Sequence, residues 1–129
     1  MAKGKITLEI GAEPERHEIR TAEFFANLGI DIHFLKAIDR RGVKTPDILM
    51  SGLKWEIKAP KSNASRTIEN AFRSAIKQSP NVIFDLRRSK LADSTNIPKI
   101  QRQLKLIHKA NLKNLKIITK SKELLEFSK

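Results

Sequence analysis

Apolar residues in this chain recur at two intervals, every second position in some stretches and every third or fourth in others. The order in which those periods alternate constrains the fold more than any other feature. Ile6, Leu8 and Ile10 alternate with polar residues, a strand pattern that ends at Gly11. Ala12-Glu13-Pro14-Glu15 opens a helix, because proline fits a first turn and acidic groups there complement the helix dipole. Ile19, Ala22, Phe25, Ala26 and Leu28 form its buried stripe, and Gly29 stops it. Three strands follow, over residues 30–35, 47–50 and 53–59, the last two joined at Ser51-Gly52 by a tight hairpin turn. A second helix from about Ser65 to Pro80 buries Ile68, Ala71, Phe72, Ala75 and Ile76. Residues 81–86 are almost continuously apolar, as in a strand covered on both faces. A third helix opening at Asn96-Ile97-Pro98, a strand over residues 115–119 and a last short helix from Ser121 to Phe127 complete the reading. The predicted order is strand, helix, three strands, helix, strand, helix, strand, helix. This is an α/β mixed sheet flanked by helices, with an antiparallel meander in its middle and βαβ crossovers after it.

A chain of 129 residues suits a single domain over residues 1–129 with its own core. It has no cysteine, so disulfides and thiolate metal sites are excluded. No apolar run is long enough to span a bilayer, and the N-terminus lacks the apolar stretch of a secretory signal. Net charge is +12 and unevenly placed. Residues 1–60 carry ten Lys/Arg against nine Asp/Glu, whereas residues 61–129 carry sixteen against five. A cationic surface of this size acts over a Debye length of ~8 Å at physiological salt and predicts a polyanionic partner, nucleic acid first, an acidic protein second and an anionic membrane surface third.

In Leu53-Lys54-Trp55-Glu56-Ile57-Lys58 the strand period puts Trp55 toward the core and Lys54, Glu56 and Lys58 on the opposite face. The hairpin brings Asp47 toward the same end of the sheet. Two carboxylates in proximity repel unless a cation or a proton lies between them. An oxygen-only set completed by the Ile57 carbonyl, water and a substrate phosphate suits Mg²⁺, with Mn²⁺ as a substitute. Glu18 shares a helix face with Ala22 and Phe25 and so points to the edge of the apolar stripe. Gln78, following Ala71 and Ala75, stands at the edge of the second helix's buried face, where its amide could donate to a phosphate or hold Lys58. By spacing alone, Glu56-Ile57-Lys58 is read equally well as a solvated ion pair and Gln78 as an exposed helix end. Asp85 reads as a turn or cap residue. The three histidines match no zinc-ligand spacing, and His17, beside Glu18, is the candidate for an acid or a substrate contact.

Thr45-Pro46-Asp47 followed by Trp55-Glu56-Ile57-Lys58 resembles the PD-(D/E)xK nuclease superfamily. With His17-Glu18-Ile19-Arg20-Thr21-Ala22, Leu28-Gly29, Lys77-Gln78-Ser79 and Val82-Ile83-Phe84-Asp85, the chain resembles more narrowly the C-terminal toxin domains of contact-dependent growth inhibition proteins and related phage and mobile-element proteins. The resemblance implies a restriction-endonuclease-like fold, metal ligation by Asp47, Glu56 and Glu18, a catalytic Lys58 and a supporting amide at Gln78. It also implies a toxin that ends a larger secreted effector, acts on tRNA in the cytoplasm of a target cell, and is restrained by an acidic immunity protein.

The expected function is therefore a Mg²⁺- or Mn²⁺-dependent endonuclease hydrolysing RNA, tRNA in particular. The candidate nucleic-acid contacts are Arg40, Arg41 and Lys44 in the loop before Asp47, with Lys61, Arg66, Arg87 and Arg88 beyond it. The rival expectations are a DNA endonuclease with the same site and a non-catalytic basic nucleic-acid-binding domain.

Overall fold

The computed structural model describes residues 2–38, 45–106 and 112–128. The elements are β1 (Ile6–Leu8), α1 (Arg16–Asn27), β2 (Ile32–Phe34), β3 (Ile48–Met50), β4 (Leu53–Lys58), α2 (Thr67–Gln78), β5 (Asn81–Asp85), α3 (Asp93–Leu106), β6 (Asn114–Ile118) and β7 (Leu124–Ser128). All seven strands form one mixed sheet in chain order, β1-β2-β3-β4-β5-β6-β7. The β2–β3–β4 meander is antiparallel, β4, β5 and β6 are parallel through α2 and α3, and β7 turns back antiparallel on β6.

Both turns named from sequence form for local reasons. Ser51 and Gly52 have φ of 53° and 77°, the paired left-handed geometry that twists a two-residue hairpin with its strands. Gly29, at φ 86°, ends α1: its N–H donates to Ala26 O (2.9 Å) and that of Ile30 to Phe25 O (3.1 Å), which satisfies carbonyls the helix leaves open.

Two cores sandwich the sheet. On one face Ala22, Phe25 and Ala26 of α1 pack on Ile32, Phe34, Ile48, Met50, Trp55, Ile57 and Ile83. On the other, Ile68, Phe72 and Ala75 of α2 and Ile100 of α3 cover Val82, Phe84, Leu115 and Ile117. All five β5 residues are buried, as the unbroken apolar run predicts. Trp55 lies in the core as expected, its indole N–H donating to Met50 O (3.0 Å).

The closing helix expected over residues 121–127 is instead β7. A helix of that length is marginal in water, whereas the strand gains a full ladder with β6 and extends both cores, Leu124 packing into one and Leu125 and Phe127 into the other. Lys116 on β6 also pairs with Glu126 across it. The third helix begins at Asp93, earlier than Asn96, and Pro98 lies within it. Asp93 caps the β6–β7 turn, accepting the Lys120 N–H at 2.9 Å.

The feature that positions the site is a change of partner along β4. Leu53 to Trp55 pair with β3, and Glu56 to Lys58 pair with β5. Past Trp55, the β3-facing edge of β4 therefore lies beyond the end of β3, between α1 on one face and α2 on the other.

Candidate active site

Asp47 sits where β3 gives out. Its main-chain N–H makes the last rung with Trp55 O (2.9 Å), and its side-chain Oδ2 accepts the next β4 donor, the Ile57 N–H (2.8 Å). The carboxylate thus replaces a missing ladder carbonyl and is held in the plane of the sheet. The carbonyl of a strand residue points to the same side as its N–H, so Ile57 C=O faces this same gap, as the reading of the sequence requires.

Glu56 is 4 % exposed and on the α2 face of β4. Lys58, two residues on and therefore on the same face, brings Nζ to 3.4 Å from Glu56 Oε2 and donates to Ser74 Oγ at 3.3 Å. The amide of Gln78, one turn beyond Ser74, lies against the same carboxylate and donates to it, 2.8 Å to Oε1, once its nitrogen is turned inward. Gln78 therefore supports Glu56; the α2 residue that holds Lys58 is Ser74, which the sequence reading passed over. Its spacing of i, i+4 from Gln78 was the available signal.

Glu18 reaches the group from the first turn of α1. Its side chain accepts the Glu15 N–H (2.8 Å), the return bond of a capping box, and so serves the helix end as well as the site. Its carboxylate lies near that of Asp47, and Asp47's near that of Glu56, close enough for each to influence the other's ionisation. Burial, and to a lesser degree this crowding, resists ionisation of the group. Burial, then contact with Asp47, pushes Glu18 up to about 7. Asp47 rises to about 6 through burial and the Glu56 charge. Glu56 is also raised, by burial, against the opposing pull of Asp47 and Lys58.

A cavity of about 480 Å³, lined by Glu18, Asp47, Glu13, Glu15 and Lys36 among others, opens onto Glu18 and Asp47; Glu56 and Lys58 stand behind its wall rather than on it. Oxygen donors only, with carboxylates whose ionisation is resisted by one another, fit a hard divalent cation. Among the described residues no three His, Asp or Glu side chains form a ready-made cage. An ion held here would draw further oxygens from main chain, water or substrate, the ordinary situation for Mg²⁺.

All five residues named for catalysis thus come to one place. The named nucleic-acid contacts are dispersed. Arg40, Arg41 and Lys44 lie outside the described residues. Lys61 is exposed, and Arg66 pairs with Glu69 on its own helix (3.3 Å). Arg87 is largely committed internally: it binds Asp85 through Nε (2.9 Å to Oδ1) and a terminal nitrogen (2.7 Å to Oδ2), donates to Arg20 O (2.9 Å) and covers the Phe24 ring. Asp85 also accepts the Arg87 N–H (3.1 Å), the local turn expected of it, and the Thr21 hydroxyl of α1 (2.6 Å). Burial would raise its pKa, but the hydrogen bonds of Arg87 and Thr21 outweigh that and hold it low. His17 is 3.3 Å from Glu15, His33 bonds Thr7, and His108 lies outside the described residues.

No curated protein matches the chain. Among solved structures, a chain of the "CdiA-CT/CdiI toxin and immunity complex from Burkholderia pseudomallei" is similar, with a TM-score of 0.65 over 95% of this chain and 99% of that one. Sequence identity is 20%, so the likeness is one of fold. The family described as the contact-dependent growth inhibition CdiA C-terminal domain matches residues 44–124, a span that holds Asp47, Glu56, Lys58, Ser74 and Gln78 and stops short of Glu18. That match covers more than half of the chain, and the chain belongs to the contact-dependent growth inhibition CdiA C-terminal domain family.

Proposed function

We propose that this domain is a metal-dependent endonuclease of the PD-(D/E)xK type that hydrolyses phosphodiester bonds in RNA, tRNA in particular, and serves as a growth-inhibiting toxin. The observation that carries the reading is the convergence of Asp47, Glu56 and Lys58 in the gap left where β4 changes partner, with Glu18 closing it from α1. The order α1, three-strand meander, α2, β5 supports the superfamily assignment.

Asp47, Glu56 and Glu18 are the residues that would hold Mg²⁺ or Mn²⁺. When bound, the ion supplies the positive charge that lowers the pKa of water and offsets charge growing on phosphorus. The Ile57 N–H holds Asp47 Oδ2 and so fixes the orientation of the carboxylate that would face an ion. Gln78 and Lys58 fix Glu56 from two sides. Lys58 is braced between Glu56 and Ser74, and the third N–H of its ammonium group would orient the attacking water or neutralise a phosphate oxygen. The basic second half of the chain draws the polyanion in. Family membership, the toxin–immunity complex whose fold this chain shares, and the +12 charge support an acidic immunity protein as partner.

Purified protein incubated with tRNA and with plasmid DNA, each with Mg²⁺, Mn²⁺ or chelator, tests this. Cleavage of tRNA with either ion, abolished by chelator and reduced at least about 100-fold in Lys58→Ala and Glu56→Gln, is expected. Cutting of DNA alone would transfer the reading to a DNA endonuclease. Full activity in both variants would end the assignment of the site.

A further inference from the structure

Across the start of α1 from the acidic cavity lies a second one, of about 390 Å³, and Glu15 lines both. Four arginines surround it: Arg16 and Arg20 on successive turns of α1, and Arg87 and Arg88 after β5. The two acids on its wall are engaged, Asp85 by Arg87 (2.7 Å) and Glu15 by His17 (3.3 Å). Arg16, Arg20 and Arg88 make no ion pair with a carboxylate among the described residues. Arg88 is nonetheless fixed in place, because its Nε donates to Ala59 O at 2.6 Å, which leaves its terminal nitrogens for another acceptor. Four guanidiniums against two carboxylates leave this concave wall with excess positive charge, which suits a phosphate that they can grip with two parallel bonds, and their flat faces suit a base. The volume is that of a pocket for one small organic group. Ala59 follows Lys58 and His17 precedes Glu18, so this cavity adjoins the acidic site along two segments of chain.

We propose that the arginine-lined cavity receives one unpaired nucleotide of the substrate, the unit next to the phosphate held at the acidic site, with its phosphate on Arg16, Arg20 and Arg88 and its base against a guanidinium face. The identity of the polyanion rests on the nuclease reading; the shape and charge of the pocket do not. A base stacked and paired in a duplex cannot turn its face into a half-open recess of this size, whereas an unpaired one can, so the pocket favours single-stranded or looped segments.

The test measures binding of a fluorescein-labelled twelve-nucleotide single-stranded RNA to the full chain by anisotropy in chelator, where no cleavage can intervene. Arg16→Ala/Arg20→Ala should weaken binding about tenfold and reduce the slope of log K against log salt by about one to two. Both side chains are exposed, and neither anchors the fold. Lys113→Ala/Lys120→Ala removes the same charge elsewhere and should cost less than about threefold. The same RNA as a duplex should bind more weakly than the single strand and be insensitive to the arginine pair. No binding by the parent, equal losses in the two double variants, or equal sensitivity of duplex and single strand would each overturn the proposal. Binding that behaves as expected, in a protein that cleaves nothing when Mg²⁺ or Mn²⁺ is restored, would keep the pocket and remove the nuclease.

Discussion

Two buried aspartates of this chain, Asp47 and Asp85, are shifted in opposite directions, and pH should tell them apart. Asp47 has a folded pKa of about 6, above its unfolded value of ~3.9, so the native state binds its proton more tightly than the unfolded chain does. Its contribution to stability is complete below pH ~4 and is lost as pH rises through about 6. Asp47→Asn keeps an oxygen for the Ile57 N–H and cannot ionise. In chelator it should therefore be more stable than the parent at pH 8, on the order of 1–3 kcal/mol, and equal to it near pH 4, as urea denaturation would read. An advantage independent of pH would contradict the assignment. Asp85 has the opposite sign: its folded pKa is lowered, so its contribution is present above ~3.9 and disappears as pH falls below that. Asp85→Asn should cost ~2–4 kcal/mol at pH 7, since it strips the buried partner from Arg87 and weakens the bond that ties α1 to β5, with the deficit shrinking in acid. Spacing along a strand made Glu56 and Lys58 neighbours in advance, because the period of two is local. The roles of Ser74 and Gln78 were not open to that reasoning, since which α2 side chain meets Glu56 and which meets Lys58 depends on how the helix sits across the sheet.

Among the elements, those with a strong local signature were readable and the one decided by a neighbour was not. Gly29, Pro80 and the Ser51-Gly52 turn stop or reverse the chain by their own backbone preferences, and each does so where expected. Residues 121–128 have a pattern weak enough for either state, and pairing with β6 makes the choice. Phe127→Ala should lower stability by about 2 kcal/mol, about half the loss of a fully buried phenylalanine, because Phe127 is half-buried against the α2–α3 core. Thermal or urea unfolding would measure it; a change within about 0.5 kcal/mol would mean that β7 adds nothing to that core.

For the whole molecule, the acidic gap lies in a protein of charge +12, and that contrast ties stability to ligand. A divalent ion that binds the native state alone stabilises it, by ~2.7 kcal/mol at a concentration one hundred times its dissociation constant. Mg²⁺ or Mn²⁺ should raise the melting temperature of the parent at pH 7.5 by several degrees and leave Asp47→Asn and Glu56→Gln unmoved. An equal rise in all three would place the ion elsewhere.

Period, turn chemistry and the local order of charges are properties of neighbouring residues, and from them came the run of elements up to β6, the antiparallel meander, the buried Trp55 and the shared face of Glu56 and Lys58. Partner choice between distant segments is not local. The exchange of β3 for β5 along β4, the arrival of Glu18 beside Asp47, and the capture of the last segment as a strand all depend on pairing and burial across the assembled sheet, where long-range contacts outweigh the preferences of any short stretch.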